Sequence, residues 1–384
     1  MIILTVNSGS TSIKLAAFEV EARTAGDAPP RRLAAAHHEA PHIDPAAELR
    51  GFLERLGGAP QAVVHRVVHG GTRFTQPVLI DESVRGAISN LAELAPLHNP
   101  LAIRWIDAAR RLCGPQTAQV ATFDTAFYAS LPRVAAEYAL APAVGVDLGV
   151  RRYGFHGLAH EAMWRRFCEL EPHLPQGGRL ISVQLGGGCS ITALEQGRPQ
   201  DTSMGFSPLE GLVMATRSGD ADPAIVPYLS RRLGVSCAQV IEVLNRQAGL
   251  AGVAGAESSP GQLLAEGSER GRFALELYCY RVRKYLGAYL AVLGGCDGIV
   301  FGGGVGEHVP GVREKILRAM HWAGIELDLA ANQAACGAEG RISAPGSAVI
   351  VRVVTVQEEP LMVREALGLL RQAGSYGLTP VKAP

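Results

Sequence analysis

Three short segments rich in glycine, serine or asparagine each follow a predicted strand, and all three could bind phosphate. They occupy residues 7–12, 186–190 and 302–306. Backbone N–H groups in such turns form a concavity for anions, and only small side chains let a phosphate approach closely. Each segment taken alone is more simply explained as a tight turn. Three of them, each after a strand, favour a nucleotide ligand.

The common nucleotide-binding motifs do not occur in this sequence. It contains no G-x-x-x-x-G-K-[ST], and no G-x-G-x-x-G follows a predicted strand. The absence of both motifs therefore excludes a P-loop NTPase and a dinucleotide-binding domain of the usual kind. Gly-x-Ser-x-Gly is also absent, so no nucleophilic serine of the hydrolase type is predicted.

Several charged side chains at predicted strand ends and turns could handle the charge of a phosphate. They are Arg66, Asp124, Arg151, Arg152, Arg217, Asp220 and Glu358. Arg217 lies just past an apolar stretch, where an arginine is costly unless an anion pairs with it. Taken singly, each of these residues is more simply a surface group or one half of an ion pair.

Two pairs of histidines have a spacing that could bind a metal ion. His156 and His160 are four residues apart at a predicted helix start, and His65 and His69 lie at a predicted strand end. Neither pair has the adjacent glutamate of His-Glu-x-x-His. A core histidine with satisfied hydrogen bonds is the commoner case, so a histidine-ligated metal is not favoured.

Alternating strands and helices must position these residues. Strands over residues 2–6 and 12–20 predict a hairpin, and strands over residues 181–185 and 189–194 predict a second hairpin with the same order. Residues 21–48 predict a loop with at most one short strand. Helices are predicted over residues 101–112, 157–170, 274–293 and 312–323. The repeated order predicts two related halves of an α/β protein.

Composition narrows the class of protein further. The 384 residues give a soft prior of two or three domains, and the 36 Lys and Arg residues balance 36 Asp and Glu. A nucleic-acid or membrane-surface partner is therefore not expected. Seven scattered cysteines without Cys-x-x-Cys indicate reduced thiols. Without a signal sequence or an apolar run of about 18 residues, a cytoplasmic protein is expected.

Seven motifs resemble the acetate kinase family. They are Asn7-Ser8-Gly9-Ser10-Thr11-Ser12-Ile13-Lys14, His65-Arg66-Val67-Val68-His69-Gly70-Gly71, Pro96-Leu97-His98-Asn99-Pro100, Phe123-Asp124-Thr125-Ala126-Phe127, Arg151-Arg152-Tyr153-Gly154-Phe155-His156-Gly157, the run DTSMGFSPLEGLVMATRSGD at residues 201–220, and Phe301-Gly302-Gly303-Gly304-Val305-Gly306-Glu307. They occur in family order over nearly the whole chain. The run of twenty residues is the most specific of them.

The resemblance implies an α/β fold with two domains of the actin-like ATPase and sugar-kinase type, a duplicated RNase H-like unit. One domain would comprise residues 1–126 with about 357–384, and the other about residues 127–356. It also implies an enzyme, a homodimer that reversibly transfers the γ-phosphoryl group of ATP to acetate or propionate. The products would be an acyl phosphate and ADP.

The resemblance also implies roles for individual residues. Arg66, His156 and Arg217 would surround the transferring phosphoryl group, where fixed cations and donors suit a loose, in-line transition state. Asp124 would be the active-site aspartate, and Asn7 and Glu358 would hold Mg²⁺ or Mn²⁺. The residues implied for ATP or ADP are Lys14, Ser10, Ser12, Gln184, Leu185, Gly186, Gly187, Gly188, Gly304, Val305, Gly306, Glu307 and His308. Those implied for the carboxylate are Arg66, Val68, Leu97, Phe155 and Pro208.

The sequence departs from the family pattern on the nucleotide side. Gln184 and Gly187 stand where the family usually has histidine and asparagine, and Gln262 replaces the arginine expected near the base. Two alternatives therefore stay open, namely the same chemistry with pyrophosphate or another nucleotide as donor, and a non-catalytic nucleotide-binding regulatory protein. The intact set of charged residues argues against the second. Acetate and propionate also stay open, because one methylene is worth only about 1–3 kcal/mol.

Overall fold

The chain folds into two units, each built around its own six-stranded sheet. The structure is a computed structural model, and it describes residues 1–9, 12–21, 29–38, 43–256 and 258–373. Unit 1 comprises Met1–Ala129 and the segment that begins at Gln357, and unit 2 comprises Ser130–Val356. Residues 374–384, which the family resemblance assigns to the first domain, lie outside the described residues.

Unit 1 has a mixed sheet with the strand order β3-β2-β1-β4-β6-β5. Its strands are β1 (Ile2–Ser8), β2 (Ile13–Glu19), β3 (Arg31–His38), β4 (Ala62–Val67), β5 (Val78–Leu79) and β6 (Ala118–Phe123). Strands β1, β4 and β6 are parallel, and the other pairings are antiparallel. The helices of its first part are α1 (Pro45–Leu56), α2 (Glu82–Asn90) and α3 (Asn99–Cys113).

Unit 2 has a mixed sheet with the strand order β11-β12-β10-β7-β8-β9. Its strands are β7 (Arg179–Leu185), β8 (Cys189–Glu195), β9 (Arg198–Thr202), β10 (Gly298–Gly302), β11 (Gly340–Arg341) and β12 (Ile350–Val353). Its helices are α4 (Arg133–Ala136), α5 (Gly157–Leu170), α6 (Ile225–Leu233), α7 (Cys237–Arg246), α8 (Gly249–Ala254), α9 (Pro260–Glu266), α10 (Glu269–Leu293), α11 (Gly303–His308), α12 (Pro310–Leu317) and α13 (Leu329–Ala334). The last helix, α14 (Glu358–Gln372), belongs to unit 1.

The two sheets have the same topology. Strands β7, β10 and β12 are parallel, as β1, β4 and β6 are, and the remaining strands pair antiparallel in the corresponding places. The predicted hairpins are confirmed as β1–β2 and β7–β8. The prediction of two related halves of an α/β fold is therefore confirmed.

The core of unit 1 explains why its central strands are almost entirely apolar. On one face of the sheet, Leu4, Leu15 and Val63 pack with Phe52 of α1 and Trp105 of α3. All five side chains are essentially inaccessible to solvent. Strands covered on both faces lose the alternation of apolar and polar residues, so β1 and β4 form near-continuous hydrophobic runs. No helix in the described ranges has the length and apolar character needed to cross a membrane.

Residues 31–38 form β3, the one short strand that the prediction for residues 21–48 allowed, and its half-exposed side chains at the sheet edge give no clear apolar alternation. Two other predicted elements differ from the structure. The helix predicted over residues 312–323 ends at Leu317. The third glycine-rich segment is not a loop, because β10 passes directly into α11 at Gly303, where the backbone has a φ of 77°.

A second glycine holds the loop of residues 212–219 close to the start of α8. Gly249 has a φ of 61°, and a Cβ atom placed on it would lie 2.7 Å from the carbonyl oxygen of Arg217. Its backbone is thus in contact with that of the loop. Gly234, at the end of α6, has a similar φ of 67° but no atom of the described residues within 4 Å of such a Cβ.

These two glycines allow a matched test of close packing. We expect Gly234→Ala to cost about 1–2 kcal/mol of unfolding free energy, since only the left-handed backbone is strained. Gly249→Ala should cost about 1–3 kcal/mol more, because the added methyl group meets backbone atoms. Urea titrations of both variants measure the difference. Equal losses would mean that the loop of residues 212–219 moves aside without cost.

Candidate active site

Three parallel strands of unit 1 bring polar side chains to one edge of the sheet. Asn7 lies near the end of β1, Arg66 near the end of β4, and Asp124 directly follows β6. The register pairs Val6 with His65, and Arg66 with Thr122. Carboxyl ends of adjacent parallel strands are the usual place for a ligand site in α/β proteins.

Arg66 is the centre of this cluster. It donates from Nε to Asp124 Oδ1 at 2.9 Å and from Nη2 to Asp124 Oδ2 at 2.7 Å, and from Nη1 to Asn7 Oδ1 at 3.0 Å. Burial disfavours the charged guanidinium, but Asp124 and Glu358 outweigh this effect and raise the pKa of Arg66. The arginine is therefore a permanent cation in a fixed orientation.

Carboxylates outnumber cations around Arg66. Asn7 Nδ2 donates to Glu358 Oε2 and to Glu359 Oε1, each at 2.7 Å, and Glu358 Oε2 lies 3.7 Å from Arg66 Nη1. With Asp124, three carboxylates thus adjoin one guanidinium, and the excess negative charge fits a divalent cation. Among the described residues, no group of three or more His, Cys, Asp or Glu side chains could hold a metal by itself. A cation here would need further oxygen ligands, as Mg²⁺ takes from phosphates and water.

The first glycine-containing turn lies next to this cluster. Gly9 N donates to Ser12 O at 2.8 Å, and a Cβ atom on Gly9 would lie 4.0 Å from Arg66 Nη1. Lys14 pairs with Asn7 across the β1–β2 ladder. Ser10 lies outside the described residues. The turn therefore places Ser12 and Lys14 on the hairpin that also carries Asn7.

In unit 2, the second glycine turn joins β7 to β8 and lies against two of the predicted side chains. Gly186 N donates to Gly188 O at 3.0 Å. A Cβ atom on Gly188 would lie 3.2 Å from His156 Nε2 and 3.9 Å from Arg217 Nη1, whereas one on Gly187 would have no described neighbour within 4 Å. The structure therefore brings His156, Arg217 and the turn together, with Gly187 open.

Arg217 has few partners for a largely buried arginine. In the described part of the chain it has no carboxylate within 4.0 Å, and its Nη1 donates to Pro208 O at 3.3 Å and to Met214 Sδ at 3.8 Å. Burial lowers the pKa of its guanidinium. Five N–H donors in a buried place with so few acceptors indicate an anion as the missing partner.

Arg313 shows what a structural buried arginine looks like in the same unit. It also lacks a carboxylate partner in the described ranges, and burial lowers its pKa to about 10. Its guanidinium donates to Asn332 Oδ1 and to the carbonyl oxygens of Gly306, Glu307, Asn332 and Ala335, at 2.7–3.3 Å. Protein acceptors thus satisfy Arg313, whereas in the described part of the chain Arg217 has one carbonyl oxygen and one sulfur atom near its guanidinium.

His156 and His160 share a serine instead of a metal ion. His156 begins α5 with a left-handed φ of 56°, and its Nδ1 lies 2.8 Å from Ser190 Oγ. His160 Nε2 lies 2.8 Å from the same oxygen. In unit 1, His65 bonds Gln119, and burial lowers its pKa to about 4. Both pairs therefore form hydrogen bonds within the protein.

The remaining residues predicted for the nucleotide lie at the ends of β7 and β10. Gln184 pairs with Gly302 in the parallel ladder of these strands, and Leu185 follows it in β7. Glu307 accepts from Gly303 N at 3.0 Å and from Val356 N at 3.2 Å, so its carboxylate supports the junction. Five of the residues predicted for the nucleotide lie within α11, namely Gly304, Val305, Gly306, Glu307 and His308.

The four apolar residues predicted for the carboxylate are divided between the units. Val68 is buried in unit 1 and Leu97 is about half exposed, at 47%. Phe155 is buried in unit 2, where the carbonyl oxygen of Pro208 accepts from Arg217. Their assignment to an acyl pocket stays a prediction.

Some charged candidates have structural partners. Arg152 donates to Glu210 Oε1 at 2.6 Å and to Thr202 O at 3.0 Å. Asp220 accepts from Gly211 N at 2.8 Å and from the hydroxyl of Tyr285 at 2.9 Å. The explanation of these two residues as parts of ion pairs and hydrogen bonds is thus the better one.

Two residues at these clusters were missed by the sequence reasoning. Glu359 bonds Asn7, and its position beside Glu358 was the available signal. Ser190 bonds both histidines, and it follows the glycine turn by two residues. Its only signal was a small polar residue shortly after the turn, in a strand whose residues are otherwise apolar except for Thr192 and Glu195.

Comparison of the chain with known proteins shows which family it belongs to. A sequence model described as the Acetokinase family matches residues 53–364. Acetate kinase of Chloroherpeton thalassium is 45% identical over 79% of this chain and 74% of its own, and that of Geobacillus kaustophilus is 38% identical over 96% and 98%. The crystal structure of Porphyromonas gingivalis acetate kinase covers 96% of this chain and 99% of its own, with a TM-score of 0.83 and 33% identity. A propionate kinase from Francisella tularensis covers 95% and 98%, with a TM-score of 0.83 and 32% identity. The chain therefore belongs to the acetokinase family.

Proposed function

We propose that this protein is an acetate kinase, which transfers the γ-phosphoryl group of ATP reversibly to acetate or another short-chain carboxylate. The products are an acyl phosphate and ADP. Family membership supports the reaction. The observation that carries the proposal is Arg217, a largely buried cation without a carboxylate partner among the described residues, beside His156 and the glycine turn.

The chemistry requires charge stabilisation more than proton transfer. A carboxylate oxygen of the substrate attacks the γ-phosphorus in line, forming a new O–P bond as the bond to the ADP oxygen breaks. The family resemblance assigns Arg66 and Arg217 to the charge on the equatorial oxygens, and His156 to a hydrogen bond with one of them. Asp124 holds the guanidinium of Arg66 by two hydrogen bonds, so this cation is oriented before substrate binds.

The excess of carboxylates beside Arg66 fits a divalent cation. We propose that Glu358 and Asn7 hold Mg²⁺, or Mn²⁺, together with phosphate oxygens. The bound ion would neutralise charge on the phosphates and orient them. Glu359 positions Asn7 by accepting a hydrogen bond from the same amide nitrogen as Glu358.

The other assignments follow the family resemblance. Nucleotide contacts come from the three glycine-containing segments, and Val68, Leu97, Phe155 and Pro208 accommodate the alkyl group of the acid. We further propose a homodimer, for which unit 2 offers exposed aromatic side chains such as Phe273 and Tyr280 on α10. Cytoplasmic location is consistent with the free cysteines of the described chain.

A hydroxamate assay tests the reaction directly. Acetate, propionate and butyrate are each combined with ATP, GTP and pyrophosphate in the presence of Mg²⁺. We expect acyl hydroxamate with ATP and acetate or propionate, and less with butyrate. Pyrophosphate is included because Gly187 and Gln184 depart from the family pattern. Absence of acyl phosphate with every pair would refute the enzyme assignment.

Replacing the two buried arginines separates catalysis from folding. We expect Arg217→Ala to lower kcat by about 10²–10³-fold, because a fixed donor to the transition state is lost. Its unfolding free energy should change by less than about 1 kcal/mol, since few protein acceptors lose a partner. Arg313→Ala, the matched variant, should lose about 2–4 kcal/mol, because several buried acceptors become unsatisfied.

Kinetics and urea unfolding of both variants provide the measurements. A loss of stability in Arg217→Ala as large as that in Arg313→Ala would assign Arg217 to the fold instead of the reaction.

The metal assignment predicts a change in cation dependence. Glu358→Gln removes a charged oxygen ligand, so we expect the Mg²⁺ concentration for half-maximal activity to rise about tenfold or more. Glu82→Gln, which removes an exposed carboxylate from the same unit, should leave that concentration unchanged. Activity is titrated with Mg²⁺ after removal of metal with EDTA. An unchanged titration for Glu358→Gln would exclude this carboxylate as a ligand.

A further inference from the structure

A continuous chain of hydrogen bonds connects His156 to the interior of unit 2. His156 Nδ1 lies 2.8 Å from Ser190 Oγ, which lies 2.8 Å from His160 Nε2, and His160 Nδ1 lies 2.8 Å from Ser182 Oγ. Beyond Ser182, Met163 Sδ lies 3.7 Å from the same hydroxyl oxygen. Ser190, His160 and Ser182 are completely buried.

The strands and the helix that carry this chain of hydrogen bonds are regular and well packed. Ser190 lies in β8 and Ser182 in β7, which are neighbours in the sheet, and both histidines belong to the start of α5. Residue 182 pairs with Thr192 and residue 184 with Ser190 in the antiparallel ladder. The positions of both hydroxyls are therefore set by the sheet and not by a loop.

Ser190 couples the two histidines, because both rings bond the same hydroxyl. A serine hydroxyl has one proton, so it donates to at most one of the two imidazoles and accepts from the other. The tautomers of His156 and His160 therefore depend on each other through Ser190.

This coupling fixes both the tautomer and the ring of His156. The hydrogen bond to Ser190 engages Nδ1, and it places Nε2 beside Gly188, together with Arg217 Nη1. The backbone of His156 has a left-handed φ of 56°, which costs a non-glycine residue energy. Such a strained position needs a strong partner for its side chain.

We propose that Ser190 is a positioning residue of the phosphoryl transfer, which fixes the proton and the orientation of His156 through the chain from Ser182 and His160. This inference rests on the proposed function, because it assigns a role in that reaction. Ser190 itself does not touch the substrate. It acts by holding Nδ1 of His156, so that Nε2 faces the glycine turn.

Steady-state kinetics of two variants in β8 test the proposal. Ser190→Ala removes the central hydroxyl of the chain, and we expect kcat to fall about tenfold to a hundredfold while KM for ATP and for acetate changes less than about threefold. The matched control is Thr192→Val, which also removes a buried hydroxyl from β8, one that bonds Thr202 Oγ1 at 3.0 Å. Its kcat should stay within about twofold of the wild type.

Two further variants keep the test decisive if Ser190→Ala folds poorly. Ser190→Thr retains a hydroxyl on a side chain suited to a strand, and it should recover most of the lost kcat. Ser182→Ala interrupts the far end of the chain and should lower kcat less than Ser190→Ala does. A kcat of Ser190→Ala equal to that of Thr192→Val would overturn the proposal, as would a loss in Ser190→Thr as large as that in Ser190→Ala.

A spectroscopic measurement tests the chain without any turnover. In protein labelled with ¹⁵N-histidine, the imidazole signals of His156 are identified by their absence in His156→Asn. At a pH of about 8.5, where ordinary imidazoles are neutral, we expect one tautomer of His156 in the wild type and a mixture of the two tautomers in Ser190→Ala. The same tautomer in both proteins would overturn the proposal. Failure of the wild type to form acyl phosphate would instead refute the proposed function and leave this result standing.

Discussion

The direction of three strands in each sheet is the constraint on which the functional clusters depend. Because β1, β4 and β6 are parallel, Asn7, Arg66 and Asp124 reach the same edge although they are far apart in sequence. Strands β7 and β10 do the same for the second and third glycine-rich segments. Antiparallel neighbours would place the ends of these strands at opposite edges, and the side chains could not converge.

Arg66 in unit 1 and Arg217 in unit 2 differ in the partners that balance their charge. In unit 1, Arg66 has carboxylate and amide partners, so its charge is balanced within the protein. In unit 2, Arg217 lies beside the glycine turn without such a partner among the described residues. A partly buried cation with so few protein acceptors raises the free energy of the folded protein, and an anion paired with it would offset that cost.

Much of this arrangement could be predicted from the sequence, because it depends on local patterns. The two hairpins and the helix of residues 157–170 have clear apolar periodicity, and the structure confirms them. The bounds of strand β3 could not be predicted, since an edge strand with half-exposed alanines has no such pattern. The sequence also could not distinguish Arg217 from Arg313, because the acceptors around each guanidinium are known only from the structure. The contacts of Ser190 with His156 and His160 form only when α5 packs on β7.

Gly187 has a backbone conformation outside the left-handed region and no described atom within 4 Å of the place where its Cβ would lie. Neither strain nor packing therefore restricts the residue at this position. Natural selection can therefore change this residue without first compensating a loss of stability. The side chain at the tip of the second glycine turn can vary while the sheet and helices around it stay as they are.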